Sequence, residues 1–417
     1  MKSIGFPFLY LCTLTAASSV ASGNHDSYDV HPFTISLSDG VPRMLERIRD
    51  TELPDTIPQY PGNEAGISLE TLKAFRNQWL VDFDWHKEEE TLNKYHHFTA
   101  KIENLRVHFI HEKSNEPNAI PLILYHGWPG SFLEFIPVIK SLTQKAKTTT
   151  GKHVSFDVIV PSLPGFAFSS APGANWTVDD SARVFNTLMT KVLGYKTYAV
   201  HGTDWGSGVA WGQFDGFNTS ARAAHFAILP FLPLTPEQLE AQNITLNTLL
   251  DQFEEQRYVN WSATGSGYFS EEGSKPNDIG LVLYDNPIGQ LVWMGEKYIE
   301  WSDPKAGTSP SVLTHNEILR SISLYYLTKS ILTSGYIYFQ NPLGQTGFRY
   351  NYTRARTDAP MLFSGFKYNV QSWPRALAET VGNLVLYRNH DFGGHFPGLD
   401  NPPALIEDIR EIGSYWE

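Results

Sequence analysis

The chain has 417 residues, enough for one large domain with insertions. Hydrophobic residues make up 41 % of it and aromatic residues 13 %, a composition that suits a deep apolar pocket. Its formal net charge of −12 argues against nucleic acid and anionic membrane as partners. No dinucleotide or phosphate-cradling glycine loop, metal-spaced Cys/His cluster, repeat or low-complexity tract stands out, so neither metal nor other cofactor is expected.

The chain opens with Lys2 and an apolar stretch from Ile4 to Ala17, followed by small residues around Val20-Ala21-Ser22. That pattern is a secretory signal peptide over residues 1–22, giving a secreted protein. The alternative is an uncleaved segment that anchors the protein in the endoplasmic reticulum membrane. Five acceptor sequons, at Asn175, Asn218, Asn243, Asn260 and Asn351, fit passage through the secretory pathway. The only cysteine is Cys12, inside the signal, so the mature chain is expected to hold no disulfide.

Residues around Val107 and Phe109 alternate as a strand would. The aromatic segment at Asp84-Trp85 is expected to pack on the main domain. His96, His97, His108 and His111 raise the thought of a metal, but strand-embedded core histidines are the commoner explanation. Ile120–Tyr125 reads as a short buried strand, with an apolar stretch at helical spacing from Phe132 to Leu142 beyond it. Between them lies His126-Gly127-Trp128-Pro129-Gly130. A strand ending in His-Gly-x-Pro supplies one backbone N–H of an oxyanion hole, here that of Trp128. Val154–Pro161 reads as another strand, and Ser162 to Phe168 as a Pro/Gly turn.

The most telling segment is Gly202-Thr203-Asp204-Trp205-Gly206. It follows the apolar run from Lys196 to His201 and precedes a sequence able to open a helix. Small residues two before and two after a central polar residue are what a strained strand-to-helix turn needs. The turn lifts Asp204 clear of the sheet, and the amide of Trp205 becomes the second oxyanion donor. A carboxylate is a poor nucleophile toward amides. Toward an sp³ carbon with a strained or good leaving group it is competent, and the product is an ester on the enzyme. Asp204 therefore points to epoxides or alkyl halides.

With these motifs in hand, the chain resembles the microsomal-type epoxide hydrolases of the α/β-hydrolase superfamily, as a secreted, fungal-like member. The likeness also rests on Pro32-Phe33-Thr34-Ile35, on Trp79 to Trp85 with Leu92-Asn93, and on His96 to His111. It implies an α/β-hydrolase fold with a mostly parallel central sheet, an inserted helical cap and an N-terminal extension. The expected divisions are residues 23–120 for the N-terminal region, 121–236 for the first part of the core, 237–354 for the cap and 355–417 for the second part. The cap is rich in Leu, Tyr and Trp at helical spacing, as from Leu281 to Trp293 and from Ile318 to Leu332. The sheet resumes at Met361–Ser364 and Asn383–Arg388, and a helix from about Pro403 to Gly413 closes the chain.

The resemblance also assigns roles. Asp204 is the nucleophile. His395, in Gly393-Gly394-His395, is the general base, preferred over His390. Tyr268 and Tyr338 donate to the epoxide oxygen, with Tyr336 a near competitor for the second place. One position departs from the pattern: where the family has Asp or Glu to orient the histidine, this chain has Asn369. Substitution by Asp391 or Glu379, a reduced rate with Asn369 alone, and impaired ester hydrolysis all stay open. Residues 230–234, where some superfamily members keep the acid, offer none. The implied partners are a small apolar epoxide and water. Alternatives are an epoxide-opening cyclase, a secreted binder of hydrophobic ligands and, less favoured, a haloalkane dehalogenase.

Overall fold

A computed structural model describes residues 27–246 and 248–417. The signal reading of residues 1–22 and Cys12 lie outside the described residues. A nine-stranded sheet organises the molecule. Its strands are β1 (His31–Phe33), β2 (His97–Ile102), β3 (Leu105–Glu112), β4 (Ile120–Tyr125), β5 (Phe156–Pro161), β6 (Tyr198–Gly202), β7 (Ala221–Phe226), β8 (Pro360–Phe366) and β9 (Asn383–His390). They lie in the order β1-β2-β3-β5-β4-β6-β7-β8-β9. The pairings β1/β2, β2/β3 and β3/β5 are antiparallel, and all others are parallel. The continuous apolar runs of β4, β5 and β6 follow from this, because a parallel strand covered by helices is buried on both faces.

The sheet therefore begins well before residue 121. β2 and β3 form a hairpin whose two-residue loop places Glu103 at φ 54°. Phe109 pairs with Pro161, which joins this hairpin to the core. Pro32, which lacks an N–H, sits on the edge strand, where no ladder bond is lost to the missing donor. The histidines in this region hydrogen-bond among themselves and to their surroundings. His97 Nε2 lies 2.9 Å from Leu92 O, its Nδ1 3.0 Å from His108 Nε2, and His108 Nδ1 2.9 Å from Ser162 Oγ.

The N-terminal helices reach the cap as well as the core. Ser68 caps Leu69–Val81, and Asp84 caps Trp85–Leu92. Trp85 is buried among residues of the sheet and the C-terminal helix, such as Leu122 and Ile409. Trp79 is fully buried and donates through Nε1 to Ser323 Oγ of the cap at 3.0 Å. Arg43 adds an exposed ion pair to Asp285 of the cap.

The cap is helical, but two of its expected runs are broken. The stretch from Leu281 to Trp293 is interrupted at Asn286-Pro287, where Asn286 is extended and caps the next turn at Gly289 N. The residue before a proline is pushed out of helical conformation. The stretch from Ile318 to Leu332 divides at Lys329, which is left-handed at φ 59° and places its ammonium 3.8 Å from the centre of the Tyr326 ring. The terminal helix likewise divides into Pro402–Arg410 and a short turn, Ile412–Tyr415. No helix among the described residues is long and apolar enough to cross a membrane.

Trp79 ties the N-terminal region to the cap, which sets a stability prediction. Trp79→Ala should destabilise the protein by about 3–5 kcal/mol, the usual cost of emptying a buried aromatic site. Trp79→Phe should cost less. Urea unfolding followed by circular dichroism measures both.

Candidate active site

The functional side chains gather at the C-terminal ends of the parallel strands, where open α/β sheets form their binding crevice. β6 ends at Gly202, and the helix Asp204–Gly216 starts two residues later. Asp204 has φ 43°, a left-handed conformation that non-glycine residues seldom adopt. Two glycines make the turn possible. A Cβ on Gly202 would lie 2.6 Å from Gly206 O, and one on Gly206 would lie 2.2 Å from Tyr125 O. The turn holds the Asp204 carboxylate buried at the N-terminus of its own helix, where the helix dipole favours negative charge. Trp128 N–H donates to Asp204 Oδ1 at 2.7 Å. Trp205 occupies the first turn of that helix, where backbone N–H groups have no intrahelical acceptor.

His395 sits on the loop beyond β9. Gly393 has φ 97°, and a Cβ on Gly394 would lie 2.3 Å from Trp301 O, so the loop passes tightly against the cap. His395 N donates to Trp301 O at 2.8 Å, and the Trp301 ring meets the imidazole edge-on at 4.8 Å. His395 Nε2 lies 3.5 Å from Asp204 Oδ2.

On the other side of the ring, Nδ1 lies 3.0 Å from Asn369 Oδ1. The same oxygen accepts the Val370 N–H at 2.8 Å. A backbone donor can face only the oxygen end of an amide, so this bond fixes the orientation of Asn369. Nδ1 must then carry a proton, so Nε2, facing Asp204, is the nitrogen that serves as the base in the neutral ring. Neither of the other carboxylates named from sequence stands at Nδ1. Glu379 is exposed and paired with Arg375, and Asp391 is exposed. His390 is turned away, with Nε2 2.6 Å from the buried Asp408 carboxylate.

Two cap helices complete the site. Tyr268 comes from Gly267–Ser274 and Tyr338 from Ser330–Gln340. The Tyr268 ring stacks on Trp128 at 5.3 Å, and the Tyr338 ring meets Trp128 and Trp205 edge-on at 5.6 and 5.0 Å. The two phenol rings stand 5.8 Å apart and nearly perpendicular. Burial above all, with the nearby charge of Asp204 adding to it, pushes both phenols well above their ordinary pKa. They therefore remain protonated. The buried Tyr338 hydroxyl lies beside the Tyr268 hydroxyl and the Trp205 indole. Tyr336 faces outward and donates to Asn277 Oδ1 at 2.7 Å.

Two buried carboxyls of this region escaped the sequence reading. Glu134 accepts Thr203 Oγ1–H at 3.1 Å beneath the turn, and burial holds it well above the usual carboxylate range. It is the one acidic residue inside the apolar stretch from Phe132 to Leu142, which was a usable signal. Glu272 lies four residues after Tyr268, on the same face of its helix.

Comparison with known proteins places this geometry. Residues 30–135 match the epoxide hydrolase N terminus family, and residues 120–212 match the alpha/beta hydrolase fold family. Epoxide hydrolase 1 of Sus scrofa is 31 % identical over 410 residues, covering 92 % of this chain and 88 % of that protein. The chain belongs to the epoxide hydrolase family. The Aspergillus niger epoxide hydrolase structure superposes with a TM-score of 0.77 at 31 % identity, covering 96 % of this chain and 98 % of that one. The juvenile hormone epoxide hydrolase of the silkworm Bombyx mori gives 0.82 at 25 % identity, covering 93 % and 94 %. The protein is thus a hydrolase with the α/β-hydrolase fold.

The close approach at Gly127 yields a test. A Cβ there would lie 2.0 Å from Asp204 Oδ1. Gly127→Ala should displace the carboxylate and lower epoxide hydrolysis by roughly 100-fold, the scale of loss for a misplacement near 1 Å. Diol formation measured beside the thermal midpoint separates this effect from unfolding.

Proposed function

We propose that the protein opens an apolar epoxide to a vicinal diol in two half-reactions. The observation that carries the reading is the Asp204 carboxylate, held by Trp128 N–H and facing two buried, protonated phenols. In the first half-reaction Asp204 Oδ2 attacks an epoxide carbon. The carbon–oxygen bond breaks, and its electron pair goes to the epoxide oxygen, which takes a proton from Tyr268 or Tyr338. A hydroxy-ester on Asp204 results. Removing one such donor costs on the order of 3 kcal/mol in comparable sites.

In the second half-reaction His395 Nε2 removes a proton from water as the water attacks the ester carbonyl carbon. Oδ1 carries the developing negative charge and is met by the amides of Trp128 and Trp205. The ester bond breaks, the departing alkoxide takes the proton of the newly formed Asp204 carboxyl, and the proton held by His395 returns to the tyrosinate through solvent, so the diol leaves with Asp204 a carboxylate, His395 neutral and both phenols protonated. The apolar, aromatic lining of the site favours an apolar epoxide and excludes bulk water from the opening step.

Asn369 supports the second step differently from a carboxylate. In the serine-protease case an Asn in the acid position costs roughly 10⁴ in turnover through the wrong tautomer. Here the Val370 amide holds the Asn oxygen toward Nδ1, so the neutral imidazole already has its base nitrogen toward Asp204. What is missing is a negative charge beside the imidazolium that forms. A charged partner adds about 1–2 kcal/mol over a neutral one.

Two measurements test the scheme. Over repeated turnovers in heavy-oxygen water, label should enter the Asp204 side chain, read by peptide mass spectrometry. Label in the diol alone would exclude the ester. Asn369→Asp should accelerate ester hydrolysis by roughly tenfold, the rate equivalent of that charge difference. The rate of adduct formation should stay nearly unchanged, as quenched-flow intact-mass analysis will resolve.

A further inference from the structure

Glu272 stands in the cap beside both phenols, and neither half-reaction above uses it. It shares the Gly267–Ser274 helix with Tyr268, and one helical turn separates the two side chains. Its Oε1 accepts the Trp293 indole N–H at 2.8 Å. Its Oε2 is buried and has no hydrogen-bond partner among the described residues. That oxygen points toward the helix carrying Tyr338. A Cβ on Gly335, three residues before Tyr338, would lie 3.6 Å from it. A Cβ there would only meet the acid in ordinary contact, so Oε2 lies packed between the two tyrosine-bearing helices.

The charged and titratable groups around Glu272 do not neutralise a carboxylate there. Asp204 and Glu271 are negative and oppose its ionisation. Lys297 favours it, but its ammonium is paired with Glu296 and lies 5.2 Å from the Tyr268 ring and 5.5 Å from the Trp293 ring. Tyr268, Tyr325 and Tyr338 all sense the charge of Glu272, which makes each a weaker acid. Burial is the largest influence, and it holds the carboxyl at about 8. Below that pH the group is an uncharged acid.

Epoxide opening moves negative charge from Asp204 onto the epoxide oxygen and then, as the phenol proton is given up, onto a tyrosine. A second anion one helical turn away opposes this, because buried charges are weakly screened. We propose that Glu272 is a positioning residue of the epoxide-opening step, acting as a neutral carboxylic acid that keeps Tyr268 and Tyr338 able to donate. It transfers no proton itself. The inference rests on the proposed ester mechanism and assigns a required charge state to a residue outside it.

The sign follows directly. Raising the pH through about 8 ionises Glu272, weakens the phenol donors and slows ester formation. The test is single-turnover formation of the Asp204 ester from styrene oxide between pH 6 and 9.5, followed by intact mass. The wild-type rate should fall about 10-fold or more across the alkaline limb, as expected when only the protonated form is active. Glu272→Gln keeps the shape and can still accept from Trp293, and its rate should change less than about 2-fold over the same range. Trp293→Phe removes the one hydrogen bond that favours the ionised form and should shift the limb to higher pH. This second variant carries the test if Glu272→Gln does not fold.

A limb that persists unchanged in Glu272→Gln, or stays in place in Trp293→Phe, overturns the inference, as does a wild-type rate flat to pH 9.5. A purely structural role would move none of these profiles. If the wild type forms no Asp204 ester at any pH, the ester mechanism itself fails, an outcome distinct from these.

Discussion

The site depends on one backbone conformation, the left-handed turn at Asp204. A non-glycine residue held there costs about 1–3 kcal/mol, so its surroundings must over-determine it. Three features do so. The glycines at 202 and 206 let the turn close against β4. The helix dipole favours a carboxylate at the first residue of the helix. The Trp128 amide donates to the carboxylate, a charge-assisted bond that contributes about 1.5–3 kcal/mol. The last is of the same order as the strain, so the Trp128 amide also helps to keep the Asp204 carboxylate aimed. The crowding at Gly127 belongs to the same constraint, because the loop after β4 and the turn after β6 press together where the strands run side by side.

Around this turn the protein controls charge by burial. Only Asp204 among the site's carboxyls faces a donor set suited to an anion. Glu134 and Glu272 are held above the usual carboxylate range, and the two phenols well above theirs. A site with a single anion fits the proposed reaction, which moves one negative charge from a carboxylate to an oxygen and back. Each additional buried anion would raise the energy of that transfer.

The chemistry-bearing elements were the most legible in the sequence. The strand Ile120–Tyr125 has the boundaries its apolar run suggested, and the Gly-x-Asp-x-Gly turn falls between a strand and a helix as its glycines require. Those signals are local: a run of apolar residues, or a glycine that must fit against a neighbouring strand. What was not legible depends on partners distant in sequence. Nothing within residues 97–112 says that this hairpin extends the main sheet, because that depends on the pairing of Phe109 with Pro161. The break at Lys329 carries no proline or glycine, and it shows in the left-handed backbone of Lys329 and in its ammonium over the Tyr326 ring. Glu272 reads as one of several cap carboxylates until the neighbouring helix with Gly335 is placed over it.

Asn369 shows the same limit where it bears most on mechanism. From sequence it is a missing charge, and an Asn in that place also threatens the histidine's tautomer. These are separate physical effects, and only the structure separates them. The tautomer depends on which end of the amide faces Nδ1, and the Val370 N–H decides that by demanding the oxygen. The charge depends on the residue type alone and stays missing. The chain thus keeps the geometric half of the acid's role and gives up the electrostatic half. In the proposed mechanism alkylation, which draws on Asp204 and the phenols, is untouched by that loss. The proposed mechanism puts the cost on ester hydrolysis, where an imidazolium would form in a buried site with no carboxylate at its Nδ1.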